Sequence, residues 1–250
     1  MMPDSAFNPF ALRGKTLLIT GSSAGIGKGI AFACSQMGAN VILTGRNEGR
    51  LNEVYGRLWG DGHHVAVADL TVESDLQRLV VSLPPLDGVV FCAGIGQRQL
   101  CKFITASDVD SVMDVNFKSH VLLQAELLRA KKVKNSASMV YIASRAASSP
   151  SIGNAIYSAS KGAIISYAKC LSLELASRKI RVNCICPAMV WTDLILKGGL
   201  TKDDLEKAQL QYPLKRYGTP EDVANLAIYL LSDASSWMTG TCVDLTGGGE

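Results

Sequence analysis

The sequence predicts an α/β fold in which a parallel, doubly wound sheet of about seven strands carries helices on both faces. Three observations lead to this prediction. Short runs rich in β-branched residues alternate with longer helical patterns, several of the short runs are apolar throughout, and no linker, repeat or low-complexity stretch divides the chain. Alternating strands and helices imply right-handed crossovers in a parallel sheet, whose strands are covered on both faces. We expect a single domain over residues 1–250, with residues 1–13 as an N-terminal extension.

The individual elements follow from these patterns and from helix start and stop signals. Strands are predicted at Lys15–Thr20, Asn40–Gly45, His64–Ala68, Asp87–Cys92, Ser138–Ala143, Ile180–Ile185 and Thr241–Leu245. Helices are predicted near Ile26–Met37, Glu48–Trp59, Ser74–Ser82, Ser107–Lys132, Ala155–Ser177 and Glu221–Leu231. Gly38 fits a helix C-cap, and Pro220 followed by two acids fits a helix start. The longest irregular segment runs from Pro187 to about Leu200. Long loops in compact domains commonly carry function. We therefore predict that residues 187–215, which include this segment, form a substrate lid.

Composition excludes several classes of protein. The net charge of +3 is small and dispersed, which does not indicate a nucleic-acid partner. The first residues lack the apolar core of a signal peptide, and no stretch approaches the roughly 18 apolar residues of a membrane span, so we expect a soluble, cytoplasmic protein. Seven cysteines without a disulfide-framework spacing predict reduced thiols, with Cys184 and Cys186 as buried structural residues. The three histidines show no ligand spacing, and no metal site is predicted.

A glycine-rich turn follows the first predicted strand. That strand ends at Thr20 and continues into Gly21-Ser22-Ser23-Ala24-Gly25-Ile26-Gly27, directly before the first predicted helix. Glycines at a strand-to-helix turn let the backbone approach a pyrophosphate, which then lies at the positive end of the helix dipole. Glycines also form ordinary tight turns, but this position between strand and helix favours a dinucleotide site.

The end of the second predicted strand indicates which dinucleotide binds. An enzyme that uses NAD presents an acid there to the ribose 2′-hydroxyl, whereas this chain has Gly45 followed by Arg46. A guanidinium can form paired hydrogen bonds with a 2′-phosphate, which a carboxylate would repel. The alternative is a solvated loop arginine, but the position favours NADP(H). Ser22, Ser23 and Asn47 could add neutral hydrogen bonds to the same phosphate.

Ser144, Tyr157 and Lys161 are the predicted reacting groups. Ser144 ends the fifth strand, at the sheet edge where ligands of open α/β sheets bind, and a spacing of four puts Tyr157 and Lys161 on one helical face. A free tyrosine has a pKa of about 10, and a neighbouring cation favours its phenolate. Tyr-x-x-x-Lys alone arises by chance in many helices, but here it occurs together with the serine and the dinucleotide turn. The set predicts hydride transfer between a nicotinamide and a carbonyl carbon, with Tyr157 moving the proton and Ser144 holding the substrate oxygen.

These motifs resemble those of the short-chain dehydrogenase/reductase family, whose signature is Thr-Gly-x-x-x-Gly-x-Gly. The resemblance runs from Lys15 to Gly249 and is closest to the short, single-domain, Rossmann-type branch, which includes 3-oxoacyl carrier-protein reductases and hydroxysteroid dehydrogenases. It implies a fourth catalytic residue, Asn116, which would bend its helix and hold a water that links Lys161 to solvent. The cofactor-contact set comprises Gly21, Ser22, Ser23, Gly25, Ile26, Gly27, Arg46, Asn47, Asp69, Leu70, Ala93, Gly94, Tyr157, Lys161, Pro187, Val190 and Thr192.

The chain also departs from the family pattern. Phe91-Cys92 stands where similar enzymes carry two asparagines, and Ala188 replaces the glycine of a Pro-Gly-x-x-x-Thr segment. The helix between Asp69 and Asp87 is about a turn shorter than in these relatives. The resemblance implies that Asp69 contacts the adenine amino group, for which a helix-capping aspartate is the alternative.

The predicted function is that of an NADP(H)-dependent oxidoreductase that interconverts a ketone and a secondary alcohol. A 3-oxoacyl thioester is the favoured substrate, because apolar residues of the irregular segment suit an acyl chain or a ring: Met189, Trp191, Leu194, Ile195 and Leu196. The alternatives are a hydroxysteroid or sugar/polyol dehydrogenase, a nucleotide-sugar epimerase or dehydratase, and a non-catalytic NADP-binding protein.

Two surfaces indicate partners. The helix at Ala155–Ser177 is apolar or small-sided around most of its surface, which favours a homodimer or, as in similar enzymes, a homotetramer. A basic cluster is a hypothetical dock for an acidic acyl carrier protein, with solvated side chains as the alternative: Arg129, Lys131, Lys132, Lys134, Arg178 and Lys179.

Overall fold

A computed structural model describes residues 8–196 and 201–249 of the chain. Seven strands form one parallel sheet in the spatial order β3-β2-β1-β4-β5-β6-β7, which confirms the predicted fold class. The strands are β1 (Thr16–Thr20), β2 (Asn40–Gly45), β3 (His64–Val67), β4 (Leu86–Phe91), β5 (Val133–Ile142), β6 (Arg181–Pro187) and β7 (Cys242–Leu245). The winding direction reverses between β1 and β4, and such a reversal creates the crevice where doubly wound sheets bind ligands.

Helices connect the strands and cover both faces of the sheet. They are α1 (Gly25–Gln36), α2 (Glu48–Tyr55), α3 (Glu73–Ser82), α4 (Ala106–Met113), α5 (Ser119–Arg129), α6 (Ala155–Glu174), α7 (Asp193–Leu196), α8 (Lys202–Gln209) and α9 (Pro220–Leu231). A π-helical turn at Asp114–Lys118 joins α4 to α5. None of the helices described is long and apolar enough to cross a membrane.

Each face of the sheet has its own apolar core. On one face, α3, α5 and α6 pack over the sheet, with Leu123 and Ile164 fully buried. On the other face, α1, α2 and α9 bury Ile30 and Val223 against the strands. Packing of this kind fixes where each strand ends, and therefore where the loops at the carboxyl edge of the sheet begin.

The start of the chain is packed onto the domain. Leu12 is fully buried in the core beneath α1 and α9, and the Pro9 carbonyl oxygen accepts a hydrogen bond from the Ala234 amide at 3.0 Å. Residues 8–13 of the predicted N-terminal extension are therefore part of the packed structure. The remainder of that extension, residues 1–7, lies outside the described residues, as does the stretch 197–200 of the predicted lid.

Several predicted boundaries are wrong. The helix predicted over Ser107–Lys132 is interrupted by the π-helical turn and ends at Arg129. The strand predicted at Ser138–Ala143 starts five residues earlier, because Val133 pairs with Leu86 although the residues between are polar and exposed. The segment from Pro187 to about Leu200 is not wholly irregular, since it contains the short helix α7. In the first two cases contacts with distant parts of the chain override the local pattern.

Three residues of the basic cluster form contacts within the chain, whereas Lys131 and Lys179 are exposed. Lys132 donates a hydrogen bond to the Val81 carbonyl at 3.1 Å, Lys134 pairs with Asp87 at 2.8 Å, and Arg178 donates to Asn135 at 3.1 Å. These residues lie at the amino-terminal ends of β5 and β6, on the opposite edge of the sheet from Ser144. The cluster therefore does not support a carrier-protein dock beside the reacting groups.

Candidate active site

A cleft of about 1020 Å³ runs along the carboxyl edge of the sheet, over the crevice between β1 and β4. The loops that follow β1 to β6 all contribute to its wall. Most of the predicted site residues line it: Gly21, Ser23, Gly25, Ile26, Gly27, Arg46, Asp69, Leu70, Ala93, Gly94, Ser144, Tyr157, Lys161, Pro187, Val190 and Thr192. Ser22, Asn47 and Asn116 do not line it, and each forms hydrogen bonds within the protein.

The glycine turn lies against the end of β4. Gly21 has a φ of +64°, and a Cβ added there would lie 2.8 Å from the Cα of Ala93. A Cβ at Gly27 would overlap the Gly21 carbonyl oxygen. Both positions therefore require glycine, and the bare backbone at the start of α1 leaves room for a phosphate group.

Thr20 joins the two central strands where they end, a role that the sequence patterns did not predict. Its Oγ1 accepts hydrogen bonds from the backbone amides of Cys92 at 2.9 Å and Ala93 at 3.1 Å. Phe91, which stands where relatives carry an asparagine, stacks on Tyr141 with ring centroids 4.3 Å apart. Thr20 and this aromatic stack thus support the strand end in a sequence that lacks the asparagine pair. The threonine next to the first glycine was the available signal.

The adenosine end of the cleft carries two guanidinium groups. Arg46 has a side chain 68% exposed and lies 3.8 Å from an Asp69 carboxylate oxygen. Arg50, on the first turn of α2, also lines the cleft and was not anticipated. Asp69 accepts hydrogen bonds from the amide and hydroxyl of Thr71 at 2.9 and 2.7 Å, so it stabilises a turn rather than capping α3.

Two predicted phosphate ligands, Ser22 and Asn47, form hydrogen bonds within the protein. Ser22 is fully buried, and both its amide and its hydroxyl donate to the Thr44 carbonyl at 3.3 Å. Asn47 is the N-cap of α2, where its Oδ1 accepts from the Arg50 amide at 2.9 Å. Burial makes the Ser22 side chain inaccessible to a phosphate, whereas the exposed Asn47 stays an expected contact and Ser23 lies on the cleft wall.

The reacting groups meet at the other end of the cleft. Lys161 is 4% exposed, and its ammonium donates to the Ile142 carbonyl at 2.9 Å while lying 5.7 Å from the centroid of the Tyr157 ring. The Ser144 hydroxyl accepts a hydrogen bond from the Ala146 amide at 3.1 Å. Because the Ser144 oxygen acts as an acceptor in that bond, its own proton stays available for a ligand.

Asn116 holds the loop after β4 in place. Its Oδ1 accepts from the Ile95 amide at 2.8 Å, and its Nδ2 donates to the Ile95 carbonyl at 3.0 Å and to the Ser160 hydroxyl at 3.1 Å. The expected helix distortion is present as the π-helical turn, and π-bulges of this kind are frequent at functional sites. The side chain is committed to these protein contacts, and the water link to Lys161 stays a prediction.

Neutral groups surround the Lys161 ammonium. His120 is 1% exposed, and its burial, followed by the nearby Lys161 charge, lowers the pKa of its imidazole to about 3. Burial raises the pKa of the Cys92 thiol to about 12. Both side chains are therefore uncharged at neutral pH, which leaves Lys161 as the positive charge next to the Tyr157 ring.

The segment after β6 closes the cleft over the glycine turn. Thr192 lies above Gly25, where an added Cβ would come within 3.3 Å of its Cγ2. Trp191, predicted to be part of an apolar lid, instead turns away and donates from Nε1 to Gln209 at 3.1 Å. Leu196 also lies off the cleft wall, whereas Met189, Leu194 and Ile195 line it.

Further residues, which the sequence patterns did not single out, line the substrate end of the cleft. They are Ile95, Gln97, Arg98, Arg145, Ala146, Ser149, Ser151, Asn154, Leu205 and Tyr212. Most of them lie in loops without a periodic pattern, so that only the folded structure brings them together.

The residues present fit a nicotinamide dinucleotide. The glycine turn offers a backbone cradle at a helix N-terminus, guanidinium groups flank one end, and a serine, a tyrosine and a buried lysine meet at the other. No three His, Cys, Asp or Glu side chains converge on a metal position within residues 8–196 and 201–249. Fold and site together define a dinucleotide-dependent oxidoreductase.

Comparison with known proteins identifies the family. Residues 21–249 match a family model described as enoyl-(acyl carrier protein) reductase. The 3-oxoacyl-(acyl-carrier-protein) reductase of Rickettsia felis is 35% identical over 237 residues, which cover 95% of this chain and 97% of that protein. The L-xylulose reductase of Caenorhabditis elegans is 33% identical over 240 residues, 94% of this chain and 95% of that protein. The chain belongs to the short-chain dehydrogenase/reductase family, and it is an oxidoreductase that acts on carbonyl or hydroxyl groups.

Solved structures agree with this assignment. A 3-ketoacyl-(acyl-carrier-protein) reductase from Brucella melitensis, complexed with NADH, superposes with a TM-score of 0.86 at 30% identity and covers 95% of this chain and 99% of its own. Another short-chain dehydrogenase/reductase family protein has a TM-score of 0.86 at 27% identity and covers 95% of this chain and 98% of its own. The predicted use of a nicotinamide cofactor is thus confirmed in its coarser form, NAD(P)(H).

Proposed function

We propose that the chain is an NADPH-dependent reductase of 3-oxoacyl thioesters. The observation that carries the proposal is the placement of Ser144, Tyr157 and Lys161 at one end of a cleft whose other end presents Arg46. The names of the 3-oxoacyl reductase relatives, which align with nearly the whole chain, support the substrate class.

Ser144, Tyr157 and Lys161 each have a different role in the proposed reduction. When bound, the nicotinamide cofactor supplies the hydride that reduces the substrate carbonyl carbon. Ser144 donates a hydrogen bond to the substrate oxygen, and Tyr157 gives its phenolic proton to the same oxygen as charge develops there. Lys161, held by the Ile142 carbonyl, keeps its positive charge beside the Tyr157 ring and so favours the phenolate that remains.

The choice of NADPH rests on charge at the adenosine end. Arg46 and Arg50 both line this part of the cleft, and the residue at the tip of β2 is Gly45 rather than an acid. Asp69, the nearest carboxylate to Arg46, is 3.8 Å from it, and its hydrogen bonds to Thr71 hold it in the turn. Because the two guanidinium groups of Arg46 and Arg50 face one carboxylate, that of Asp69, this end of the cleft favours a cofactor that carries a 2′-phosphate.

The substrate end combines an apolar wall with hydroxyl groups. Ile95, Met189, Leu194 and Ile195 line one part of it, which suits the acyl chain of a thioester. We propose residues 187–215 as the lid over this chain, because α7 places Leu194 and Ile195 on the cleft wall. That the thioester is bound to a carrier protein is part of the proposal and comes from the relatives' names alone.

The decisive experiment is a substrate comparison with purified protein. We expect NADPH oxidation with acetoacetyl thioesters, and a kcat/KM that rises with acyl-chain length as more apolar surface is buried, by about 0.8 kcal/mol per added CH₂ fully removed from water. Absence of NADPH oxidation with thioesters, together with turnover of a polar sugar ketone, would overturn the substrate assignment.

A polyol or sugar-ketone reductase is the second candidate. Ser149, Ser151 and Asn154 line the cleft next to Ser144 and could bind hydroxyl groups, and one relative is named L-xylulose reductase. The same substrate comparison distinguishes the two candidates. Net consumption of NADPH also separates both from an epimerase, a dehydratase or a non-catalytic NADP-binding protein.

We further propose that the chain forms homodimers or homotetramers through α6. The outer face of this helix exposes Ala159, Ser166, Cys170 and Leu173, and the Leu173 side chain is 79% exposed. An apolar leucine between small residues suits close packing of two copies of the helix. Light scattering after gel filtration tests this: a monomeric wild-type protein would contradict it.

A further inference from the structure

Three cysteines lie together at the β6–β7 edge of the sheet, and none of them lines the cleft. Cys184 and Cys186 on β6 are 0% and 2% exposed, and Cys242 on the edge strand β7 packs half-buried against the same core. All three side chains are on the sheet face that α6 covers. Neither the proposed reaction nor the family assignment gives these thiols a role.

The register of the two strands selects one pair of thiols. Cys184 is the direct neighbour of Cys242, whereas Cys186 is the neighbour of Asp244. Adjacent strands lie about 4.8 Å apart, which falls within the roughly 4.4–6.8 Å range of Cα separations found in disulfides. A diagonal pair in parallel strands is also offset by two residues, about 6.6 Å along the strand, so its Cα atoms lie about 8 Å apart and outside that range. The geometry therefore favours Cys184 over Cys186 as the partner of Cys242.

Hydrogen bonds around the pair fix this register. The Cys184 amide donates to the Thr241 carbonyl at 2.8 Å, and the Gly240 amide donates to the Val182 carbonyl at 2.7 Å. The Asn183 side chain donates to the Met238 carbonyl at 2.8 Å and accepts from the Thr241 amide at 3.1 Å. A one-residue slip of β7 would break all four bonds, so the two thiols stay opposite each other.

Cys242 is the thiol of the three that is best placed to react with an oxidant. It is the most exposed of the three, and hydrogen bonds from the neighbouring Cys184 and Cys186 thiols, aided by the Lys169 charge, lower its pKa below the usual range. The same contacts, together with burial, raise the pKa values of Cys184 and Cys186. A thiolate reacts faster with an oxidant than a buried thiol does.

We propose that Cys184 and Cys242 form a reversible oxidation site that closes to a disulfide when the protein meets a peroxide. The Cys242 thiolate attacks a peroxide oxygen, the O–O bond breaks, hydroxide leaves, and Cys242 becomes a sulfenic acid. The Cys184 sulfur then attacks the Cys242 sulfur, the S–O bond breaks, and the departing hydroxide takes up the Cys184 proton. In total, two thiols and one hydrogen peroxide give one disulfide and two waters.

The bond would tie together both ends of the chain segment 185–241. That segment contains the cleft-lining residues Pro187, Val190 and Thr192, and the Leu245 carbonyl on β7 accepts a bond from the Ala188 amide at 3.0 Å. The site thus lies next to the nicotinamide end of the cleft but shares no side chain with it, and the proposal does not depend on the proposed function.

The test is disulfide mapping of the full-length protein. A Cys101→Ser/Cys170→Ser background removes the two exposed thiols, which lie outside the cleft. After hydrogen peroxide treatment and alkylation, we expect a non-reduced digest to contain a peptide pair linked through Cys184 and Cys242, and dithiothreitol to abolish it. The linked pair should persist in Cys186→Ala and be lost in Cys242→Ser.

Three outcomes would overturn the proposal. They are an unlinked Cys242 after treatment, Cys242 found only as sulfinic or sulfonic acid, and a link to Cys186 in place of Cys184. The mapping in the background protein identifies the bonded peptides directly, so the result stands even if a variant at the buried Cys184 does not fold.

Discussion

The Asn116 side-chain amide forms two hydrogen bonds with the backbone of Ile95, accepting from its amide at 2.8 Å and donating to its carbonyl at 3.0 Å. The same Nδ2 donates to Ser160, the residue directly before Lys161. One fully buried side chain therefore connects the loop after β4, the π-helical turn and α6. This gives Asn116 a positioning role in addition to the one that the family resemblance implies.

We expect Asn116→Ala to impair both stability and turnover. The change removes two hydrogen bonds to the half-buried Ile95 backbone and one to Ser160, each worth about 0.5–1.5 kcal/mol, so the melting temperature should fall. A Cβ added at Gly94 would contact both Asn116 and Lys161, so the loss of the Asn116 side chain also loosens the cleft wall beside Lys161. We therefore expect kcat to fall by a larger factor than the KM for NADPH rises. Ser119→Ala, which removes only a bond to the Val115 carbonyl, is the matched control. An unchanged kcat in a folded Asn116→Ala enzyme would limit this residue to a structural role.

Replacement of Tyr157 by phenylalanine should reduce turnover by about 10²–10⁴-fold and spare cofactor binding. The phenol is the proposed proton donor, and general acid–base catalysis contributes roughly 10²–10⁴-fold to a rate. The phenylalanine ring can keep the contact of the tyrosine ring with Lys161. The Kd for NADPH, measured by fluorescence, should therefore stay within about threefold of the wild-type value. A tenfold change would correspond to about 1.4 kcal/mol of binding free energy. Turnover comparable to wild type would remove Tyr157 from its assigned role.

Local patterns predicted the site well where it depends on sequence spacing. The glycine turn, Arg46 and the Tyr157–Lys161 pair are set by strand ends and helical periodicity, so their positions on the cleft could be inferred without a structure. Ser22 could not be judged in this way, because its burial depends on the Thr44 carbonyl of a neighbouring strand.

The features that sequence did not predict arise from contacts between distant residues. Periodicity alone predicts one continuous helix around Asn116, and only the family resemblance implied a bend there; the π-helical turn forms where Asn116 bonds to Ile95. Residues 134–136 of β5 are polar and exposed, and they belong to the strand because Val133 before them pairs with Leu86. The joining role of Thr20 needs the ends of β1 and β4 to be adjacent, which is a property of the strand order.

We expect Gly21→Ala to weaken cofactor binding beyond the effect of backbone strain. A positive φ costs a non-glycine residue about 1–2 kcal/mol, and at this position a Cβ would also lie 2.8 Å from the Ala93 Cα. Gly14→Ala is a matched control, since Gly14 has a φ of +73° and no atom within 4 Å of the added Cβ. Both variants should lose thermal stability, but only Gly21→Ala should raise the Kd for NADPH by about tenfold or more, the change that about 1.4 kcal/mol produces. Equal Kd values in the two variants would contradict the close-approach argument.

The start of α9 should make stability depend on pH in the acid range. Arg216 binds the Asp222 carboxylate through two hydrogen bonds of 2.6 and 3.0 Å, and with the Thr219 amide it holds the pKa of Asp222 at about 2. A carboxyl group in an unfolded chain has a pKa of about 3.9. The folded pKa is the lower one, so the contribution to stability is fully present above about pH 4 and is lost as the pH falls towards 2.

Asp222→Asn is the corresponding variant. At pH 7 we expect it to lower the free energy of unfolding by roughly 1 kcal/mol, the usual scale of a helix-capping interaction, and the difference from wild type should shrink between about pH 4 and pH 2. Asp203→Asn, at the exposed start of α8, should show no such trend, because Asp203 makes no ion pair within the described residues. A wild-type-to-variant difference that is independent of pH would exclude the Arg216 pairing as its source. Thermal unfolding at each pH provides the measurement.

Cofactor preference provides the sharpest test of the adenosine end. Arg46 is bound only weakly within the protein, since its contact with Asp69 is 3.8 Å long and its side chain is mostly exposed. Hydrogen bonds to charged groups contribute about 1.5–3 kcal/mol each, and about 1.4 kcal/mol corresponds to a tenfold change, so a preference for NADPH over NADH of about ten-fold to a few hundred-fold is expected. Arg46→Asp should reverse it, because the carboxylate repels a 2′-phosphate and can accept a hydrogen bond from a 2′-hydroxyl.

Two further variants separate the sources of this preference. Arg46→Lys keeps the charge but loses the paired geometry, so it should retain part of the preference, whereas Arg50→Ala measures what the second guanidinium adds. The measurement is kcat/KM for both cofactors at two fixed ionic strengths, because a contact between exposed charges weakens as salt screens it. Raising the salt concentration should therefore reduce the preference of the wild type and leave that of Arg46→Asp nearly constant. A wild type that prefers NADH, or an Arg46→Asp variant with an unchanged ratio, would falsify the role given to Arg46.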